Sequence, residues 1–108
     1  MAAVDIRKEQ FEEMMAAGKT VLVDYWAPWC GYCRRLKPAM DRLERELEGK
    51  LLMGSVDIDR EEALSDREKI EVVPTLVIYR EGKALGSIVA PGSAGQVMEF
   101  IRETLGGI

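Results

Sequence analysis

One short stretch limits what this chain can fold into more than any other. Its only two cysteines, Cys30 and Cys33, stand two residues apart between a predicted strand and a predicted helix. The strand, Thr20 to Trp26, is β-branched, apolar or aromatic almost throughout, as in a strand buried on both faces. The helix is predicted by helical spacing of Leu36, Met40, Leu43 and Leu47. A C-x-x-C pair at such a junction predicts redox chemistry of the two sulfurs.

The spacing of the cysteines favours a working dithiol over a structural bridge. A ring of four residues would stabilise the fold by only about 2 kcal/mol on the chain-entropy estimate. Cys30, at the start of the helix, lies beside free backbone N–H groups that favour the thiolate, so we predict that it is the nucleophile. Cys33, one turn further along, can attack a mixed disulfide formed at Cys30, so we predict that it is the resolving thiol.

Two other interpretations of the cysteines stay open. A zinc site needs four ligands, usually Cys or His, and the chain has no further Cys and no His. A metal would therefore have to be shared between chains or take carboxylates, and we predict no metal and no other cofactor. The second interpretation is a pair of unrelated buried thiols, which the C-x-x-C spacing in front of a helix disfavours.

Length and charge limit the remaining possibilities. A chain of 108 residues is long enough for one core, and we expect residues 1–108 to form a single domain. A net charge of −4 without a basic run argues against nucleic acid or anionic membrane as a partner. No apolar run would export or anchor the chain, so we expect a soluble, cytoplasmic protein, in a compartment where ordinary thiols stay reduced.

Strands and helices alternate at first, and the chain then closes with a hairpin and a helix. The pattern predicts an α/β fold, with a mixed sheet and helices on both of its faces. Reactive groups in such folds lie at the carboxyl ends of strands, where Cys30 falls. The predicted strands are Val4 to Ile6, Thr20 to Trp26, Leu51 to Ile58, Thr75 to Arg80 and Ala84 to Val89. The predicted helices are Arg7 to Ala17, the segment after Cys30 to about Glu48, Asp59 to Lys69, and a last one opened by a Ser93 and Gln96 capping box.

Three motifs spread along the chain give it a resemblance to a known family. They are Val23-Asp24-Tyr25-Trp26-Ala27-Pro28-Trp29-Cys30-Gly31-Tyr32-Cys33, Val73-Pro74-Thr75 and Glu81-Gly82-Lys83. Together they resemble the thioredoxin family over nearly the whole chain. The resemblance implies the thioredoxin fold, a central mixed sheet of four to five strands flanked by four helices. It also implies dithiol–disulfide exchange with disulfide-containing client proteins and recycling by a thioredoxin-reductase-type enzyme, and we expect a monomer.

The resemblance also implies roles for individual residues. Asp24 would be a buried carboxyl that takes and returns the proton of Cys33, with a pKa raised toward neutrality by burial. The alternative is a strand aspartate turned to solvent. Val73–Pro74 would be a cis peptide bond facing the cysteines, leaving the Val73 backbone free to pair with an extended substrate. The implied substrate-binding residues are Trp29, Gly31, Tyr32, Val73, Pro74 and Ala90.

Three positions depart from the family pattern. Ser55 stands where the family often carries a lysine, so no cation would balance Asp24. Ala90 stands where a glycine usually follows the last strand. Tyr32 replaces the proline of thioredoxins proper, at a position that tunes the redox potential and hence the direction of electron flow.

The leading interpretation is therefore a thioredoxin-like reductase of protein disulfides. A disulfide oxidase or isomerase is an alternative that Tyr32 motivates. A non-catalytic binding module with the same fold is another, which the intact pair of cysteines with Asp24 disfavours.

Overall fold

The structure, a computed structural model, describes residues 4–107. The helices and strands follow the predicted order, with ends that differ from the predicted ones by up to three residues. They are β1 (Val4–Asp5), α1 (Lys8–Ala16), β2 (Val21–Trp26), α2 (Gly31–Glu46), β3 (Leu52–Asp57), α3 (Glu62–Arg67), β4 (Thr75–Arg80), β5 (Lys83–Val89) and α4 (Ala94–Leu105).

The strands form one five-stranded sheet in the order β1-β3-β2-β4-β5. The first three are parallel, whereas β4 runs antiparallel to β2 and β5 runs antiparallel to β4. In this register Asp24 stands opposite Ser55 on β3 and Leu76 on β4. The predicted mixed sheet of four to five strands with four helices is confirmed.

Two apolar clusters hold the helices against the two faces of the sheet. Because successive side chains of a strand point to opposite faces, Leu22 and Val23 of β2 belong to different clusters. The cluster around Leu22 joins the sheet to α2 and α4, through residues such as Leu36, Met40, Val97 and Phe100. The cluster around Val23 joins the sheet to α1 and α3, through residues such as Phe11 and Leu64.

Local hydrogen bonds explain where the observed ends differ from the predicted ones. The Asp57 side chain accepts bonds from the N–H groups of Asp59 (2.9 Å) and Arg60 (3.3 Å), so the chain makes a turn before α3 begins. Glu81 and Gly82 have φ of 52° and 80°, which makes a two-residue hairpin turn and places Lys83 in β5.

The start of α4 is capped slightly differently from the prediction. Ser93 Oγ accepts a hydrogen bond from the N–H of Gln96 at 3.1 Å, as expected of the cap. The Gln96 side chain, however, accepts from the N–H of Gly92 at 2.6 Å and not from that of Ser93. The predicted bond from the backbone N–H of Ser93 to the Gln96 side chain is therefore wrong, because the donor is the preceding residue, Gly92. Within residues 4–107, none of the helices has the length and apolar character needed to cross a membrane.

Candidate active site

The two cysteines lie where β2 has ended and α2 begins. Cys30 has an extended backbone and caps the helix, and it forms a disulfide with Cys33, with 5.3 Å between their Cα atoms. The N–H of Cys33 donates a hydrogen bond to Sγ of Cys30 at 3.1 Å. The N–H of Cys33, which has no partner within the helix because it lies in the first turn, thus bonds to the sulfur of Cys30.

The exposed fractions of the two cysteines, 7% for Cys30 and 6% for Cys33, do not separate them. Their hydrogen bonding does, because within residues 4–107 no backbone N–H reaches the sulfur of Cys33. Both side chains pack with Ala27 against Trp26 and Val73. The sulfur atoms therefore lie in a small apolar cluster just below the surface.

The Val73–Pro74 peptide bond is cis, and it precedes β4. The backbone of Val73 borders the disulfide, with its carbonyl oxygen 3.9 Å from Sγ of Cys30. The carbonyl oxygen of Pro74 accepts a hydrogen bond from the N–H of Ala90 at 2.9 Å. Three separate parts of the chain, around residues 30, 73 and 90, therefore meet at this point.

Asp24 occupies the middle of β2, on the same face of the sheet as Leu22 and Trp26. That face is the one that α2 covers. The Oδ1 atom is buried and has no hydrogen-bond partner among the described residues, and burial raises the pKa of the carboxyl from 3.8 to about 7. Ser55, its neighbour on β3, turns its hydroxyl toward Asp5 (3.5 Å) and supplies no charge. A carboxyl with such a pKa can accept and return a proton at neutral pH.

Two aromatic side chains flank the disulfide at the surface. Trp29 is 65% exposed, and its indole N–H donates to Asp59 Oδ2 at 2.9 Å. The hydroxyl of Tyr32 lies 3.0 Å from the carbonyl oxygens of both Ala90 and Pro91. Its single proton can serve either acceptor, so Tyr32 ties the start of α2 to the segment after β5.

Comparisons with known proteins agree with this geometry. The sequence model of the thioredoxin family matches residues 2–103. The chain belongs to the thioredoxin family. It is 31% identical to thioredoxin from Pseudomonas aeruginosa over 91% of this chain and 92% of that one, and 34% identical to thioredoxin 1 from Nostoc sp. over 82% and 83%.

Two further similarities extend the comparison beyond these thioredoxins. Protein disulfide-isomerase like 2-2 from Arabidopsis thaliana is 31% identical over 77% of this chain, a match that covers 19% of its own length. A solved mutant thioredoxin from Halobacterium salinarum NRC-1 has the same fold, with a TM-score of 0.84, 21% identity, and coverage of 99% of this chain and 94% of that one.

The activity of this thioredoxin-family protein is reversible dithiol–disulfide exchange at the C-x-x-C motif. In the thioredoxin family generally, the substrates are disulfides and a reductase regenerates the dithiol. Within residues 4–107 the structure contains no cluster of three or more His, Cys, Asp or Glu side chains that could hold a metal ion.

Several residues that contact or flank the predicted site residues were missed from the sequence. Asp59 follows the carboxyl end of β3, a place where functional groups gather in parallel sheets, and that position could have identified it. Val72 and Val89 are 50% and 54% exposed beside Val73 and Ala90, but an apolar residue next to a strand end carries no signal of exposure. The carbonyl of Pro91 is a backbone group, which no sequence motif records.

Proposed function

We propose that the protein reduces disulfide bonds of client proteins, with Cys30 as the nucleophile and Cys33 as the resolving thiol. The observation that carries these roles is the hydrogen bond from the Cys33 N–H to Sγ of Cys30. In the reduced protein the same amide would stabilise a thiolate at Cys30, because an N–H bond to a charged acceptor is stronger than one to a neutral acceptor. Cys33 has no such donor within the described residues, and its sulfur would stay protonated.

The reaction transfers two electrons in two steps. The Cys30 thiolate attacks one sulfur of the client disulfide, whose S–S bond breaks, and the first client thiolate leaves and takes up a proton. Cys33 then attacks Sγ of Cys30 while its proton passes to the Asp24 carboxylate, and the second client thiolate leaves. The client is reduced, the Cys30–Cys33 disulfide remains, and a thioredoxin-reductase-type enzyme returns the two electrons.

We propose that the client chain lies extended across the site, paired with the backbone of Val73. The carbonyl of Val73 lies beside the reactive sulfur, so pairing there would bring a client disulfide to Cys30. The exposed ring of Trp29 would form one side of the surface on which the client chain lies. The remaining substrate-binding residues would be Gly31, Tyr32, Pro74 and Ala90.

We further propose that the protein works as a monomer in the cytoplasm. The net charge of −4 supports a role without nucleic acid or anionic membrane as partners. The single domain over residues 1–108 stays a prediction.

Alkylation of the reduced protein tests the assigned roles. Iodoacetamide near neutral pH is expected to label Cys30 first, because the thiolate is the reacting form. A Cys33→Ser variant is expected to accumulate mixed disulfides with clients, and Cys30→Ser to accumulate none. Preferential labelling of Cys33 would reverse the roles. Turbidity of insulin with dithiothreitol appearing no sooner than with dithiothreitol alone would favour a binding module.

The similarity to a protein disulfide-isomerase favours a second candidate, an oxidase or isomerase. Refolding of a reduced, disulfide-containing protein in a glutathione buffer separates the two. A reductase is expected to accelerate insulin reduction but not the recovery of native disulfides, whereas an isomerase would accelerate the recovery.

A further inference from the structure

Two arginine side chains fold back over the C-x-x-C turn. A Cβ atom placed on Gly31, between the two cysteines, would lie 3.3 Å from Nη1 of Arg35 and 3.7 Å from Nη2 of Arg34. Both arginines are exposed residues of α2. Two positive charges therefore stand at the surface next to Gly31, the residue that follows Cys30.

Each guanidinium group is held in place by a different contact. Nη1 of Arg34 donates a hydrogen bond to the carbonyl oxygen of Pro28 at 2.6 Å. The guanidinium carbon of Arg35 lies 5.8 Å from the centre of the Tyr32 ring, within the range of a cation–π contact. The Tyr32 ring is itself fixed through its hydroxyl. Because these contacts restrict the two side chains, a ligand would have less to immobilise.

Neither arginine has a carboxylate partner among residues 4–107, although other cations of the chain do. Lys37 pairs with Asp41 and Arg42 pairs with Glu46 further along the same helix. The unpaired charges are also opposite in sign to the protein as a whole, whose net charge is −4. An acidic protein thus presents a local positive surface at the point where clients must approach.

We propose that Arg34 and Arg35 bind a carboxylate beside the client's disulfide, so that the protein prefers acidic peptide segments as clients. This inference rests on the proposed reduction of client proteins. A guanidinium group donates parallel N–H bonds that match a carboxylate, and Arg35 and Arg34 keep N–H groups beyond the bonds described above. Because the pair is exposed, the preference is moderate and falls as salt screens the charges.

Two peptides that differ only beside the cysteine test the preference. Each carries one intermolecular disulfide, with glutamate on both sides of the cysteine in the first and glutamine in the second. At low ionic strength we expect kcat/KM to favour the glutamate peptide by about 5-fold, as two exposed ion pairs would allow. The Arg34→Gln/Arg35→Gln variant is expected to reduce both peptides equally.

An Arg42→Gln/Arg45→Gln variant is the matched control, because it removes the same charge from the far end of α2. It is expected to keep the preference. Any change that the arginines cause in the reactivity of the Cys30 thiolate affects both peptides alike. It therefore cancels in the ratio of the two kcat/KM values. Equal kcat/KM values in the parent, or a preference that survives in the Arg34→Gln/Arg35→Gln variant, would overturn this inference alone. A parent that reduces neither peptide would overturn the proposed function together with it.

Discussion

Asp24 carries a carboxyl whose pKa burial raises from 3.8 to about 7, so its ionisation costs the folded state free energy. The unfolded chain ionises the same group near its ordinary pKa. The stabilising effect of the neutral carboxyl is therefore complete at low pH, declines as the pH rises past the unfolded pKa, and is lost above about 7. Ser55 opposite Asp24 does nothing to offset this cost, because its hydroxyl is neutral.

Replacing the carboxyl by an amide is expected to stabilise the protein. A difference of about 3 pH units between folded and unfolded pKa corresponds to ~4 kcal/mol, from which the unpaired buried amide subtracts part. Urea unfolding of Asp24→Asn should thus show a gain of about 2 to 4 kcal/mol at pH 8 and under about 1 kcal/mol at pH 4. Disulfide exchange should be slower, because the proposed proton acceptor for Cys33 is gone.

The exposed Asp66 provides the control for this change. Asp66→Asn is expected to alter neither stability nor exchange rate. Suppose that Asp24→Asn is no more stable than the parent at pH 8 and exchanges disulfides at the same rate. The ionised carboxyl would then cost the folded state no free energy, and it would take no part in the reaction.

Cys30 and Cys33 could be placed from a local pattern, a strand followed by a helix, whereas the burial of Asp24 was implied only by the family resemblance, because an isolated aspartate in a strand more often faces solvent. The contacts among exposed side chains could not be predicted in the same way. Tyr32 meets the carbonyl of Ala90 across 58 positions of the chain, and Trp29 meets Asp59 across 30. No periodicity records which exposed donor will reach which distant acceptor.

At the level of elements, the backbone N–H groups at the start of α2 determine how a substitution at Tyr32 changes the redox potential of the disulfide. The amide that reaches Sγ of Cys30 belongs to Cys33, while the N–H of Tyr32 is another of the donors at the same helix end. Each such donor favours a negative charge on Cys30. A donor removed from this end should therefore destabilise the thiolate and, with it, the reduced protein.

Two variants at this position separate the amide from the hydroxyl. Tyr32→Pro removes the N–H and is expected to make the protein more reducing by up to about 30 mV, the equivalent of one charge-assisted hydrogen bond of ~1.5 kcal/mol. Tyr32→Phe loses only the bond to Ala90 and Pro91, and its potential should equal that of the parent. Equilibration with a glutathione buffer measures all three proteins. A Tyr32→Pro protein as oxidising as the parent, or more so, would show that this amide does not act on the thiolate.

The type and order of the elements followed from periodicity, but their ends did not. The start of α3 depends on the Asp57 side chain, and the start of β5 depends on two residues with positive φ in the hairpin turn. Such ends are decided by single hydrogen bonds and turn conformations, whose free energies are small beside the burial of a whole helix face. Hydrophobic patterns contain no information about them.

Across the whole molecule, one chain of hydrogen bonds links four elements on the face away from the disulfide. The hydroxyls of Tyr25 and Tyr79 lie 2.8 Å apart, and Tyr79 donates to Glu68 at 2.9 Å. Arg67 then joins Glu68 (3.2 Å) to Glu12 (2.8 Å). The chain runs from β2 through β4 and the end of α3 to α1. Burial raises the pKa of both tyrosines.

These tyrosines predict a loss of stability in alkali. The unfolded chain ionises tyrosine near pH 10, whereas the folded protein holds both phenols neutral, so stability is complete below about pH 10 and falls above it. The expected slope is up to about 1.4 kcal/mol per pH unit for each tyrosine. Urea unfolding between pH 9 and 11 should show a much flatter profile for Tyr25→Phe/Tyr79→Phe than for the parent. Parallel profiles for the two proteins would contradict the prediction.

Both tryptophans of the chain lie beside the reactive sulfur atoms. Trp26 packs against the cluster of Ala27, Cys30 and Cys33, and Trp29 directly precedes Cys30. With only two indoles in the sequence, ultraviolet light absorbed at the red edge of the protein spectrum is emitted from this site alone. The unlabelled protein is thus expected to be its own optical reporter, with an emission that changes when the Cys30–Cys33 bond forms or breaks.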